Sequence, residues 1–278
     1  IGGGALLDKN LQKFYVGIGI PMFQGYGLSE ATPVLSSNGP EKYRFGSSGK
    51  LVKPLELKIC DSEGKELPLG EMGEIVVKGE NVMAGYWKNP ESTADTVKDG
   101  WLYTGDLGYM TKEGLLYVKG RFKSLLISSD GEKYSPEGIE EAFVGQSKYI
   151  DQVMLYNNQS PYTIALIVPN KDNFKRKLAA KNMTLESEEG RKYVIKKLEK
   201  EINKYKKGGD FEGMFPERWL PSTFGVLPEP FTEQNQMINS TMKMVRGKIE
   251  KAYAELIDFL YTSEGKQIFN QKNLDNLK

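Results

Sequence analysis

The 278-residue sequence contains no histidine and a single cysteine, Cys60. Without imidazole there is no Ser-His-Asp triad, no histidine general base and no histidine-held zinc. One cysteine excludes a disulfide framework and a cysteine-based zinc site. A surplus of one charge is lacking too: 38 Lys and Arg against 37 Asp and Glu leave a formal net charge of +1. That balance excludes a nucleic-acid backbone as the main partner, since phosphate binding needs clustered surplus cations. The longest apolar stretches, such as 162–168, fall far short of the ~20 residues a membrane helix requires. No Walker-type loop occurs, and Gly17-Ile18-Gly19 does not continue into G-x-G-x-x-G. No signal peptide is recognisable, so the Asn-x-Ser/Thr triplets at Asn158, Asn182 and Asn239 read as chance matches and the expected location is cytoplasmic. Any chemistry must rest on carboxylates, lysine, arginine, hydroxyls, backbone amides or a hard cation such as magnesium.

What is present changes texture along the chain. The first stretch is glycine-rich: Gly2-Gly3-Gly4 precedes an amphipathic run (Leu6, Leu7, Leu11, Phe14, Tyr15) that predicts a helix. A strand over 18–23 and a tight turn at Gly25-Tyr26-Gly27 are expected next. From about Gly46 to Gly120 the pattern becomes all-β, with strands over 55–59, 74–78, 100–106 and 115–119 and Gly-rich turns between them. Such spacing suggests a small barrel or a distorted sheet. Beyond Gly120 the texture is mixed. Ser135-Pro136 reads as a helix start with Ser at the N-cap. Strands are expected over 150–156 and 162–168, helices over 171–181, 188–206 and 246–260. Residues 1–120 carry 13 basic and 15 acidic side chains and residues 121–278 carry 25 and 22, so the balance shifts from −2 to +3. A boundary near Arg121 follows.

Four clusters could carry chemistry. Gln24-Gly25-Tyr26-Gly27-Leu28-Ser29-Glu30 combines glycines that admit a ligand to the backbone, a flat phenol face, and a hydroxyl and carboxylate suited to phosphate and magnesium. Its bland counterpart is a glycine turn before a surface Ser-Glu pair. Asp106, within Trp101-Leu102-Tyr103-Thr104-Gly105-Asp106-Leu107, could accept both vicinal hydroxyls of a ribose, or simply satisfy its own turn. Gly120-Arg121-Phe122-Lys123 offers a guanidinium fork, or an ordinary charged linker. Lys243, in Asn239-Ser240-Thr241-Met242-Lys243, has nothing intrinsic to set it apart from a solvated lysine.

Order and spacing change that balance. Q-G-Y-G-x-T/S-E matches Gln24 to Glu30, and G-E-I-x-x-x-G followed by G-Y-W-x-N-P-E-x-T matches Gly73 to Gly79 and Gly85 to Thr93. D-G-W-x-x-T-G-D-L-G matches Asp99 to Gly108, and G-R-x-K, G-E and P-E-x-I-E follow from Gly120 to Glu140. Together these resemble the adenylate-forming superfamily: acyl-CoA synthetases, luciferases and peptide-synthetase adenylation domains. The resemblance covers roughly residues 1–260. It is strongest to long-chain fatty acyl-CoA synthetases, through Ser129-Asp130-Gly131-Glu132, Glu229-Pro230-Phe231-Thr232 and Thr241-Met242-Lys243 before Arg246. Gly247-Lys248 matches the G-K ending of the broader superfamily, so Lys248 stands as a rival to Lys243.

The resemblance implies a mixed α/β and α+β fold. Residues 1–120 would form the C-terminal part of a large AMP-binding domain, with a β-rich, barrel-like subdomain over 45–120. Residues 121–124 would be a hinge containing Lys123, and 125–278 a small mobile domain. It implies that a fatty carboxylate attacks the α-phosphate of ATP and that coenzyme A then takes the acyl group. Gly3, Gly4, Gln24, Gly25, Tyr26, Gly27, Leu28, Asp106, Val118 and Arg121 would hold the nucleotide, with Asp106 and Arg121 on the ribose. Ser29 would hold the α-phosphate, Glu30 magnesium, and Lys243 the carboxylate and phosphate; the Gly131 loop would serve thioester formation. Alternatives are a fatty acyl-AMP ligase or another carboxylate activator, and, in a different class, a non-catalytic nucleotide-binding or interaction module. The family's Ser/Thr/Gly-rich loop ending in P-K-G has no counterpart in this sequence. The expectation is therefore a fragment of a longer synthetase, inactive alone. Its partners would be small molecules and not nucleic acid, with peripheral contact to the inner membrane face and homodimerisation as further expectations.

Overall fold

The structure, a computed structural model, describes every residue except Ile1, Ala5, Leu6, Asp8, Glu41, Lys42 and Thr241, and the side chain of Lys123. The parts of the expected first helix and of the Thr-Met-Lys motif that fall on Leu6 and Thr241 thus lie outside the described residues. The chain divides into two compact units, Ile1–Lys123 and Ser124–Lys278.

The first unit is built on a sheet of eight strands: β1 (Gly25–Tyr26), β2 (Ser36–Ser37), β3 (Gly49–Leu51), β4 (Glu56–Cys60), β5 (Gly73–Lys78), β6 (Val97–Lys98), β7 (Trp101–Met110) and β8 (Leu115–Arg121). The order is β1-β2-β3-β8-β7-β5-β4, with β6 beside β7, and every pairing is antiparallel. Among the described residues β1 and β4 do not pair with each other, so of the expected barrel or distorted sheet it is an open sheet that forms. The core gathers Ala31, Leu35, Ile59, Ile75, Val77, Leu102 and Leu116. β5 is buried from Gly73 to Val77, which is why its apolar run is nearly continuous rather than alternating.

Two expectations fail before β1. Residues 18–23 form no strand: Gly19 has φ +86° and Pro21 has no N–H to donate to a ladder. The extended segment begins instead at Gln24, bridged to Gly2, and the expected turn at Gly25-Tyr26 is strand β1. Helix α1 (Lys9–Gly17) forms, but it buries Gln12 while Leu11 and Phe14 are 45% and 60% exposed. Gln12 donates to the Met22 carbonyl at 3.0 Å and accepts from the Gly46 N–H at 2.9 Å. A short helix unnoticed in the sequence, α2 (Pro90–Thr96), has Asn89 as N-cap, accepting from Ser92 N–H at 3.1 Å, and proline in its first turn.

The second unit begins with a hairpin of β9 (Leu126–Ser128) and β10 (Lys133–Tyr134), then α3 (Glu137–Gln146) and β11 (Ile150–Tyr156). The expected turn after Asn157 contains β12 (Asn158–Ser160), parallel to β9. β13 (Ile164–Pro169), helices α4 (Lys171–Ala179) and α5 (Glu188–Asn203), and β14 (Thr223–Val226) follow. The sheet order is β11-β13-β14. The expected cap at Ser135 is absent: Pro136 occupies the N-cap position, and the buried Ser135 Oγ has no hydrogen-bond partner. The single terminal helix is two, α6 (Arg246–Ala252) and α7 (Ala254–Leu260), broken where Tyr253 leaves helical geometry at φ −111°, ψ 21°. A last helix, α8 (Gln271–Asp275), lies in the tail where no motif is readable. One face of the sheet packs with α3, α4 and α5 through residues such as Phe143, Phe174, Val194 and Leu198; another cluster joins Leu166 and Val168 to Ile249, Ile257 and Leu260. Among the described residues no helix is long and apolar enough to cross a membrane.

Candidate functional site

The first unit brings residues 26, 106 and 121 together from three strands. Antiparallel pairing of β7 with β8 sets Asp106 opposite Arg121. Arg121 Nη1 donates to Asp106 Oδ1 at 2.7 Å, and the Tyr26 hydroxyl donates to Oδ2 at 2.6 Å. Asp106 is 8% exposed. It sits within a strand, not at a turn as the sequence suggested. The irregularity comes from Gly105, at φ +69°, whose N–H reaches the buried Glu74 carboxylate at 2.8 Å. Thr104 completes the local frame, its hydroxyl donating to the Ile75 carbonyl at 2.7 Å. Each Asp106 oxygen takes one donor from the protein. A carboxylate has about four acceptor positions, so Asp106 has capacity for neighbouring hydroxyls beside these donors. Burial, reinforced by the Asp106 charge, raises the Tyr26 phenol far above its ordinary range, so it stays a proton donor.

Beside this cluster lies the glycine segment. Gly25 N–H bonds the Gly2 carbonyl at 2.9 Å, and a side chain on Gly3 would meet the Gly25 carbonyl at 3.9 Å, so residues 2–4 run along β1. Gln24 is buried, its carbonyl accepting from Asn38 at 3.0 Å. Gly27 tolerates no side chain: a Cβ there would stand 1.6 Å from the Pro33 carbonyl oxygen. Tyr26, Leu28 and Val118 pack half-buried against the same core. Ser29 is exposed and opens a 3-10 turn, Ser29–Ala31, with Glu30 beside it. The Tyr86 hydroxyl donates to Glu30 Oε1 at 2.9 Å, and Met83 N–H to the Glu30 carbonyl at 2.8 Å. Tyr86, Thr104 and Glu74 all lie inside the matched motifs, yet the sequence alone gave them no role. Their identity within those motifs was the available signal.

Among the described residues no group of three or more His, Cys, Asp or Glu converges as a metal cage. Glu30 is one half-buried carboxylate. That fits magnesium, which is commonly held by one or two carboxylates together with substrate phosphates.

The second unit carries the other expected residues. Lys243 is exposed near the tip of a tight hairpin in which Ile238 bridges Met244 and Asn239 N–H bonds the Lys243 carbonyl at 2.9 Å. Lys248 lies inside α6, and its Nζ donates to Gln236 Oε1. Gly131 (φ +84°) forms the turn between β9 and β10, closed by Gly131 N–H to the Ser128 carbonyl at 2.9 Å. The next residue, Glu132, accepts a two-pronged bond from Arg218, at 2.5 Å on each prong. Lys123 lies in the 3-10 turn Phe122–Ser124, at the end of the first unit.

Residues 1–87 match the family described as AMP-binding enzyme. The chain is 32% identical to the probable acyl-activating enzyme 16 of Arabidopsis thaliana, over 94% of this chain and 37% of that protein. It is 29% identical to the long-chain-fatty-acid–CoA ligase FadD15 of Mycobacterium bovis, over 95% of this chain and 42% of that protein. Among solved structures, the O-succinylbenzoate coenzyme A synthetase of Bacillus subtilis in complex with AMP is 26% identical, with TM-score 0.62 over 89% of this chain and 44% of that one. The same synthetase, solved with ATP and a magnesium ion, gives 25% and 0.62 over 89% and 45%. The chain thus spans less than half the length of the proteins it matches. By its AMP-binding match, its relatives and its fold, it resembles part of an adenylate-forming acyl- or aryl-CoA ligase.

Proposed function

We propose that this chain is part of an ATP-dependent ligase that activates a long-chain fatty acid as acyl-adenylate and passes it to coenzyme A. The observation that carries the reading is the Tyr26–Asp106–Arg121 cluster beside a glycine segment in which Gly27 has no room for a side chain. Asp106 takes the two ribose hydroxyls, with Arg121 alongside. The backbone of Gly25–Gly27 and the faces of Tyr26 and Val118 receive the adenine, next to Gly3, Gly4, Gln24 and Leu28. Ser29 donates to the α-phosphate. Glu30 holds magnesium, which when bound supplies positive charge to the phosphate oxygens. A fatty carboxylate oxygen bonds to the α-phosphorus and the bond to pyrophosphate breaks. Lys243 spans the two reacting oxyanions, a task of charge neutralisation that needs no imidazole. The thiol sulfur of coenzyme A then bonds to the acyl carbon, AMP departs and the thiol proton goes to solvent. Residues 125–278 act as a mobile domain turning about 121–124, with Lys123 at the pivot and the Gly131 loop serving this second step. The division of the chain after Lys123 supports this reading.

Binding is the direct test. Calorimetric titration of the chain with AMP should give a saturable isotherm that Asp106→Ala abolishes. No binding would leave the non-catalytic module as the better reading. ATP–pyrophosphate exchange driven by palmitate should give no signal with the chain alone, which has no P-K-G loop, and robust exchange would refute that. In a ligase carrying this chain, product analysis with and without coenzyme A separates the fatty acyl-AMP ligase, which would stop at the adenylate.

A further inference from the structure

Two residues singled out by motif have no role in the scheme above: Glu140, which closes P-E-x-I-E, and Arg246, which follows the lysine motif. The fold joins them across 106 positions of sequence. Glu140, on α3, is 4% exposed, and one of its oxygens accepts from Arg246 Nη2. The other accepts the Leu155 N–H at 2.6 Å, while Arg246 Nη1 donates to the Leu155 carbonyl at 3.1 Å. The two side chains thus capture both polar groups of one peptide position on β11. That strand is at the edge of its sheet, and at Leu155 those groups have no further strand to pair with. Burying the pair is costly, and only a closed set of bonds of this kind offsets the desolvation.

Arg246 is also the first residue of α6 and directly follows the hairpin that bears Lys243. The hairpin closes on itself through local bonds: the Ile238–Met244 bridge, Asn239 N–H to the Lys243 carbonyl and Met242 N–H to the Asn239 carbonyl at 2.9 Å each, Lys243 N–H to Asn239 Oδ1 at 2.9 Å, and Val245 N–H to the Met237 carbonyl at 2.8 Å. Met242, at its tip, has φ +62° and is 73% exposed. At the root of the hairpin Arg246 supplies a buried polar anchor.

We propose that Glu140 and Arg246 are positioning residues for Lys243: their buried pair, fastened to Leu155, fixes the root of the lysine hairpin against the sheet. This rests on Lys243 being the lysine that acts in adenylation. The mechanism needs that lysine at a defined place, and a displacement of about 1 Å can cost roughly 10²-fold in rate. Lysine in place of Arg246 keeps the charge but cannot bond Glu140 and the Leu155 carbonyl with a rigid fork.

Hydrogen exchange on the 278-residue chain is the first test. Arg246→Lys should speed exchange of the Asn239, Lys243 and Val245 amides by about tenfold or more, with the α5 amides unchanged. Equal acceleration throughout the second unit would mean a purely structural role and overturn the proposal. In a ligase carrying this chain, Arg246→Lys should lower kcat for adenylation by about 10–10²-fold, leave KM for ATP within about twofold, and spare thioester formation from supplied acyl-adenylate. The same loss should appear in a folded Glu140→Met/Arg246→Met variant, which removes both charges together and with them the clamp. A folded double variant with unaltered kcat would overturn the proposal. Lys243→Ala is the control: if it does not slow adenylation, the reading of Lys243 fails. If it does while Arg246→Lys does not, the clamp alone fails.

Discussion

At the scale of single residues, Asp106 illustrates how a side chain acquires a function from its neighbours. An isolated aspartate after glycine is turn chemistry. Here two donors from different strands hold it, one on each oxygen, and each oxygen keeps capacity for a further donor. Asp106→Asn would set an amide N–H₂ against one of those two donors. AMP binding by calorimetry should weaken by at least about tenfold, the scale of a hydrogen bond to a charged group. A second residue-scale prediction concerns Glu201, on α5, which is 3% exposed and ion-paired with Lys204 at 2.6 Å and Lys197 at 2.9 Å. Burial pushes its carboxyl up, but the bonds from Lys204 and Lys197 prevail and hold it below the usual range. A depressed carboxyl pKa contributes stability that is present above its unfolded value, about 4.3, and is lost as pH falls through the lower folded value. Urea unfolding at neutral and acid pH should show this acid-side loss in the native chain. It should be smaller in Glu201→Gln.

At the scale of elements, the tail is the instructive case. No motif marks residues 261–278, yet Asn273 on α8 is completely buried. Its amide donates to the Phe224 and Ile268 carbonyls at 3.0 Å each and accepts from Val226 N–H at 2.8 Å, tying α8 to β14. β14 needs this, because its other edge is taken by β13. Asn273→Ala would strand those groups away from water and should destabilise the chain by about 2–4 kcal/mol in denaturant unfolding. Asn273→Asp should not rescue it, since a carboxylate has no N–H for the two carbonyls. The break between α6 and α7 belongs to this scale as well. The 246–260 pattern is apolar on one face throughout, and periodicity alone does not reveal that Tyr253 departs from helical geometry.

At the scale of the whole molecule, the first unit exposes apolar side chains at its start. Leu11, Phe14, Ile18 and Ile20 are 45–60% exposed on α1 and the turn after it. Apolar side chains concentrated in this way favour association. Light scattering should show an apparent mass rising with concentration, and Phe14→Glu with Ile18→Ser should reduce it. A concentration-independent monomer would show that these residues do not drive contact. The opposite edge of the sheet is better guarded, because β4 carries Glu56 and Lys58.

The sequence by itself determined the chemistry available and the order of the parts. The absence of histidine limits what these 278 residues can contribute to carboxylates, cations, hydroxyls and amides, and ordered motifs from Gln24 to Glu140 pointed to nucleotide-dependent acyl activation. Strands such as β4, β5 and β11 were legible because local alternation or an apolar run reflects burial directly. What depends on contacts between distant residues was not legible. Glu74 under Gly105, Tyr86 on Glu30, and Glu140 with Arg246 are joined only when strands and helices pack, because hydrogen bonds across 31, 56 and 106 positions leave no period in the chain. Residues 18–23 are a local case by contrast: Gly19 and Pro21, both visible in the sequence, interrupt an apolar run otherwise suited to a strand. Burial decides which of several locally acceptable backbones is kept, and burial is a property of the tertiary structure alone.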